Sequence, residues 1–240
     1  MTFSITQNGK ELDKSKYTWD KETKTLSTTE DNLILDFSNY NKITFNTGSG
    51  CIFKTGYDCT FDTGSDCTFK TGSRCTFKTG FSCTFDTGSY CTFDTGSDCT
   101  FKTGLDCTFK TGSDCTFKTG SDCTFKTGGY CTFDTCYNCT FKTGGYCTFD
   151  TCYNCTFNTG DKCTFNTWYY CTFKTGSNCV VVRRDIFEVI KLPKDKKVQL
   201  CHYRTSGYVK NGYYYKNNKK QFPAIITDGV LLEEIKSKGD

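Results

Sequence analysis

Cys123-Thr124-Phe125-Lys126-Thr127-Gly128-Gly129-Tyr130-Cys131-Thr132-Phe133-Asp134-Thr135-Cys136-Tyr137-Asn138 is followed, without change, by the same sixteen residues from Cys139 to Asn154. Each sixteen holds two octads that depart from the form Cys-Thr-Phe-(Lys/Asp/Asn)-Thr-Gly-Ser-(Asp/Tyr/Asn), the first with Gly at the seventh position and the second with Cys-Tyr at the sixth and seventh. Working outward, cysteines recur every eight residues from Cys51 to Cys179. Ile43-Thr44-Phe45-Asn46-Thr47-Gly48 is the same unit with Ile for Cys, and Leu35-Asp36-Phe37 reads as a degenerate one. The array then covers residues 35–178, 18 octads in all. In the 17 octads from residue 43 onward, Phe holds the third position and Thr the fifth throughout, and Gly holds the sixth in 14.

Side chains alternate along a strand, so positions 1, 3 and 5 share one face. Cys, Phe and Thr point inward; Thr at position 2 and the charged residue at position 4 point to water. Thr, Phe and Cys suit strands, and no 3.6-residue period supports a helix. Gly-Ser-Asp supplies the turn. One strand and one turn cannot bury their own apolar face, but stacked coils can, which is the logic of a β-solenoid.

The size of the coil is read from departures. Cys136, Cys152 and Trp168 replace Gly at position 6 and lie 16 residues apart, as do Tyr137, Tyr153 and Tyr169 behind them. Two octads per coil and nine coils are expected. The position-4 charges give as many opposite-sign neighbours at a 24-residue period as at 16, so they do not discriminate. The expected fold is all-β: a two-sided solenoid with Phe facing Phe across the core and Cys facing Thr. The rival is an antiparallel meander closed into a barrel, disfavoured because near-identical strands leave register poorly specified.

The flanks leave the repeat. Residues 1–34 are read as an N-terminal β cap, with Tyr17 to Leu26 forming strand, turn and strand. Residues 179–240 are read as a β-rich basic cap, with 13 Lys plus Arg against 7 Asp plus Glu. Asn211-Gly212 and Asp228-Gly229 mark hairpins, and a short helix is expected at 230–237. Caps are needed because an open coil presents unpaired strand edges.

Composition narrows the function. The 240 residues include 20 Cys, 22 Phe and 22 Gly, but only 2 Pro and 1 Met. No apolar run reaches the ~18 residues of a membrane helix, so no membrane partner is expected. A net charge of +4 is not that of an ordinary nucleic-acid binder. The first residues lack the pattern of a secretory signal, so reduced thiols are expected, buried as small hydrophobes.

Cys136, Cys139, Cys152 and Cys155 have the spacing of a zinc site. Cys139 and Cys155 belong to the inward ladder, however, and Cys136 and Cys152 to turns, whereas zinc needs four converging thiolates. No metal or cofactor is expected; a Cys136–Cys152 disulfide is the alternative use of the extra pair. His202 is the sole histidine, and its neighbour Cys201 would point to the opposite face of a strand, so no catalytic dyad is expected. The outward row lacks the paired threonines of ice-binding solenoids, and the array lacks the acidity of DNA mimics. The protein is read as a non-enzyme that binds protein partners or itself, through a side face or through its caps.

The unbroken Cys-Thr-Phe-Lys-Thr-Gly-Ser-Asp run resembles the cysteine-octapeptide repeat proteins of mimivirus-like giant viruses. Tyr17-Thr18-Trp19-Asp20, the stretch from Leu35 to Phe45, and Cys179 to Asp185 are similar to the segments bracketing that array. The resemblance covers nearly the whole chain. It implies viral origin, expression in host cytoplasm and incorporation into virions, and carries no assigned activity. A structural or interaction role is the first expectation. The second is a host-directed binding protein whose contact face is the basic C-terminal end or the edge of Tyr137, Tyr153 and Tyr169.

Overall fold

The computed structural model describes residues 3–168, 170–183, 188–200, 208–210, 213–216, 219–227 and 230–234. Mid-array octads each contribute a strand of three residues, such as Thr76–Lys78, with the pattern exposed, buried, exposed. The strands lie parallel and in register at a 16-residue offset: Thr76 pairs with Thr92, Phe77 with Phe93 and Lys78 with Asp94. Alternate octads fall into two sheets. Sheet 1 has 13 strands and contains Ile52–Thr55; sheet 2 has 16 and contains Thr44–Thr47. The chain is thus an all-β, two-sided β-solenoid.

Across the core Phe meets Phe. Phe109 lies near-parallel to Phe93 and Phe125, each at 4.8 Å, and edge-on to Phe101 and Phe117 of the opposite sheet, each at 5.3 Å. The ring columns and the ladder cysteines are buried from end to end. This shared interior holds the coils together, since no coil has a core of its own.

The parallel stack holds ten coils rather than nine. It begins with Thr25–Ser27 in sheet 2 and Leu33–Phe37 in sheet 1. The expected frame at Leu35 is corrected by two residues: Leu35 pairs with Phe53 and Phe37 with Thr55, so Leu33 takes the Cys position. The connection after Phe37 is longer than a regular corner and closes with Tyr40 N–H on Phe37 C=O. Nine spacings of ~4.8 Å make the stack about 43 Å long.

Corner geometry divides the labour between two positions. The eighth residue of each octad takes the left-handed conformation, from Asp58 (φ 57°) to Asn178 (φ 58°). Asp and Asn accept this most readily. Gly at position 6 serves close approach instead: a Cβ on Gly112 would stand 2.8 Å from the amide nitrogen of Ser97 in the coil below. Corners also bond axially. Gly72 N–H donates to Gly56 C=O at 2.9 Å, and Ser89 N–H donates to the Ser73 hydroxyl at 3.1 Å.

Both ends of the parallel stack are met by antiparallel strands. Ser4–Gln7 pairs with Leu33–Phe37, and Thr18–Asp20 with Thr25–Ser27. Phe3, Trp19 and Tyr40 pack around Phe37 over the end of the core. At the other end Glu188–Lys191 pairs with Val180–Arg183, and Lys197–Leu200 with Thr172–Thr175. Lys210 pairs with Tyr213, and Thr227 with Val230, so both two-residue hairpin signals are answered by pairing. The helix expected at 230–237 is a correction: Val230–Glu234 is a strand between Lys219–Thr227 and Lys197–Leu200, where its apolar residues find β partners. Residues 235–237 lie outside the described residues.

Candidate functional site

The ladder cysteines form two columns, one beginning at Cys51 and the other at Cys59, with all members buried as free thiols. Each thiol has a corner carbonyl as acceptor; Cys67 Sγ donates to Ser65 C=O at 3.3 Å. A small S–H donor therefore suits position 1 better than Val or Ala would. Cys67 sits between Cys51 and Cys83, and those sulfur contacts, followed by burial, push its thiol up. Cys75 is pushed up in the same way. The first members, Cys51 and Cys59, are drawn down to about 7 and about 6 by the S–H groups of Cys67 and Cys75, against burial. Deeper in, contacts with the flanking sulfurs lower Cys83 and Cys107 and raise Cys99 and Cys123. Phe, Thr and Cys surround these sulfurs, and an apolar interior opposes a resident charge.

The threonines at position 5 face the same interior with poor partners. Most donate to the next carbonyl at long range, as Thr95 does to Gly96 at 3.4 Å, whereas Thr63 and Thr119 have no hydrogen-bond partner for their buried hydroxyls. A buried hydroxyl without a partner costs about 1–3 kcal/mol. Thr63→Val and Thr119→Val are expected to stabilise the fold by about 1 kcal/mol each, read as a higher urea midpoint at unchanged slope. A lowered midpoint would mean that these hydroxyls hold water.

The extra cysteines do not lie in turns. The strands extend to Thr132–Tyr137 and Thr148–Tyr153, with Cys136 paired to Cys152 across the backbone. Cys152 is buried and its Sγ points to Asp150 C=O at 3.6 Å; the side chain of Cys136 lies outside the described residues. Cys139 and Cys155 stay in the second column, where Cys139 N–H donates to Cys155 Sγ. Among the described residues no three His, Cys, Asp or Glu side chains group to hold a metal ion. Cys201 and His202 lie outside them.

Tyr137 stacks on Tyr153 at 5.2 Å with planes 6° apart, as the 16-residue spacing requires. Tyr169 lies outside the described residues; Tyr170 instead meets Tyr153 edge-on at 6.0 Å. A second tyrosine corner escaped sequence reasoning. Tyr130 stacks on Tyr146 at 4.8 Å, and Lys162 Nζ donates to the Tyr146 hydroxyl at 2.9 Å, which raises the ammonium pKa. Its signal was present in the duplicated sixteen, but tyrosine at position 8 also occurs singly, at Tyr90, and so did not stand out.

Outside the columns, a surface groove of about 690 Å³ is lined by Ser15, Lys16 and Tyr17 and by Asn46 and Thr47 of sheet 2. It offers hydroxyls and an amide for hydrogen bonding. No helix is long and apolar enough to cross a membrane among the described residues. These features define the class: a β-solenoid repeat protein, rich in cysteine. No family model matches the chain, and no curated protein or solved structure matches it either.

Proposed function

We propose that this chain is a non-enzymatic structural rod, made by a giant virus and carried in its particles. The observation that supports it best is the use of the interior. Over ten coils the inward Phe and Cys positions are filled and buried, and antiparallel strands meet both ends. Such a molecule has set length and a monotonous outer surface, suited to packing and protein contact. The octapeptide resemblance supports the viral origin. Quantitative proteomics of purified particles and of infected-cell fractions tests the reading, with the chain expected to be enriched in particles. Recovery only in host fractions, bound to a host protein, would favour the second reading. That reading is a host-directed binding protein using the basic C-terminal end or the exposed tyrosine corner at Tyr137 and Tyr153, and the ring stacking there supports it.

A further inference from the structure

Sheet 1 carries a charge pattern that is complementary to itself. Its outward position-4 row reads Asp36, Lys54, Lys70, Asp86, Lys102, Lys118, Asp134, Asp150 and Asn166, one residue per coil. Folded about Lys102, the row sets Lys54 opposite Asp150, Lys70 opposite Asp134 and Asp86 opposite Lys118. A two-fold axis lying in the sheet plane along the strand direction performs this operation on two copies. It reverses the solenoid axis, keeps the strand direction, and lays position 4 on position 4. Symmetry doubles each pair, so every charge from Lys54 to Asp150 meets its opposite except Lys102, which meets itself. Moving the copies by one coil spoils the match. One direction sets Asp86 against Asp134 and Lys102 against Lys118; the other sets Asp36 against Asp150 and Lys70 against Lys118.

Sheet 2 has no such property. Its row holds Lys78, Lys110, Lys126, Lys142 and Lys174 against only Asp62 and Asp94. The position-2 row gives a second, independent sign. It is Thr almost throughout the array, but in sheet 1 the first two coils carry Ile34 and Ile52, exposed at 43% and 39%. The same two-fold axis sets Ile52 against Thr148, next to the exposed Tyr146 corner, and Ile34 against Thr164. Intrachain ion pairs along the row are long, 3.8 Å for Lys102–Asp86 and 3.6 Å for Lys118–Asp134, and exposed. These carboxylates can therefore serve a second ammonium.

We propose that the chain forms an antiparallel, face-to-face homodimer through sheet 1, with Lys102 on the two-fold axis. A face of about 43 Å by about 13 Å buries roughly 1,100 Å² over both copies. That just exceeds the ~1,000 Å² expected of a specific interface, so the dimer is salt-sensitive, charge pairs being screened within ~10 Å at 0.1 M salt. The inference concerns the folded chain alone and stands whatever particle or cell it is found in.

Sedimentation equilibrium on the full chain tests it, with far-UV circular dichroism to check folding. Wild type is expected to dimerise at low salt and dissociate at high salt. Lys54→Glu with Lys70→Glu, or Asp134→Lys with Asp150→Lys, should each weaken self-association by roughly tenfold or more. Mixing the two variants should restore dimers, because both contact sets are then again of opposite sign. Lys126→Glu with Lys142→Glu on sheet 2 should leave association unchanged. Should the charge variants not fold, Lys102→Cys provides the second route, since it places one thiol opposite its own copy, and a short bis-maleimide, which spans the ~10 Å between facing sheets that a disulfide cannot, should cross-link the dimer where wild type is not linked. A wild type that stays monomeric at low salt, a mixture that does not re-associate, a dimer broken by the sheet 2 variant, or a folded Lys102→Cys protein that does not cross-link would overturn the proposal.

Discussion

Removal of residues 184–240 is expected to turn the chain into filaments or large aggregates. The cut leaves Thr172–Thr175 and Val180–Arg183 as the outer strands of both sheets. Their free sides now bond to Lys197–Leu200 and Glu188–Lys191. Without those partners a row of backbone N–H and C=O groups faces water, together with the buried rings and thiols of Phe173, Cys171 and Cys179. The N-terminal coil of a second copy presents a compatible parallel edge once its own antiparallel strands part. Head-to-tail contact of this kind does not close, so it propagates. Removal of residues 1–23 should act alike by baring Thr25–Ser27 and Leu33–Phe37, and removal of both ends should be the most severe. Size-exclusion chromatography with light scattering, followed by electron microscopy, reads the outcome. Truncated chains that remain small and folded would show that the end strands do not protect the stack. The basic C-terminal segment would then stand as a separate binding domain, and the host-directed reading would gain.

The coil was legible in the sequence because of three exceptions, and the corner geometry explains why those three are informative. Position 6 packs against backbone in the coil below, so a side chain there opens the corner, and the neighbouring coils must follow. Cys136 and Cys152 accordingly pair in successive coils, with their strands lengthened to six residues, and at the third exception the register itself slips, so that Cys152 pairs with Thr167 and not with Trp168. The position-4 charges were uninformative about the coil because exposed axial pairs such as Lys78–Asp62, at 3.4 Å, are worth little to the fold. Their order becomes meaningful across a two-fold axis, which no period along one chain can reveal. The misread frame at Leu35 has a different cause. A slip of two residues keeps the same side chains inward, and Leu33, Leu35 and Phe37 are all apolar. Only the backbone pairing of Leu35 with Phe53 separates the two registers. The strand at Val230–Glu234 reads locally as a helix because its partners lie 32 to 36 residues away at Lys197–Leu200 and across a hairpin, and tertiary pairing overrides local propensity.

Phe109→Ala should destabilise the chain by about 3–5 kcal/mol, the cost of truncating a large buried ring. Phe109 is 1% exposed and touches four other rings, two in its own sheet and two across the core. Aromatic contacts add about 0.5–1.5 kcal/mol beyond burial, which places the loss toward the upper end. Repetition makes a sharper test. Phe77 stands among rings at 4.9 Å and 5.2 Å, almost the same surroundings as Phe109, so Phe77→Ala should cost the same to within about 0.5 kcal/mol. Pairs of milder Phe→Leu changes, which keep the chain folded, then measure how far packing is coupled. Phe77 and Phe125 are three coils apart, about 14 Å, and their losses should add. Phe109 and Phe117 share a ring contact at 5.3 Å, and theirs should depart from additivity by about 0.5 kcal/mol or more. Urea melts of the single and double variants give all of these values. A loss below about 1 kcal/mol at Phe109 would place the ring row in solvent or in motion, because truncation of an exposed side chain seldom exceeds ~0.5 kcal/mol. Additivity at the contacting pair would show that each ring is held by its own coil, and stacking would then contribute nothing to the cohesion of the rod.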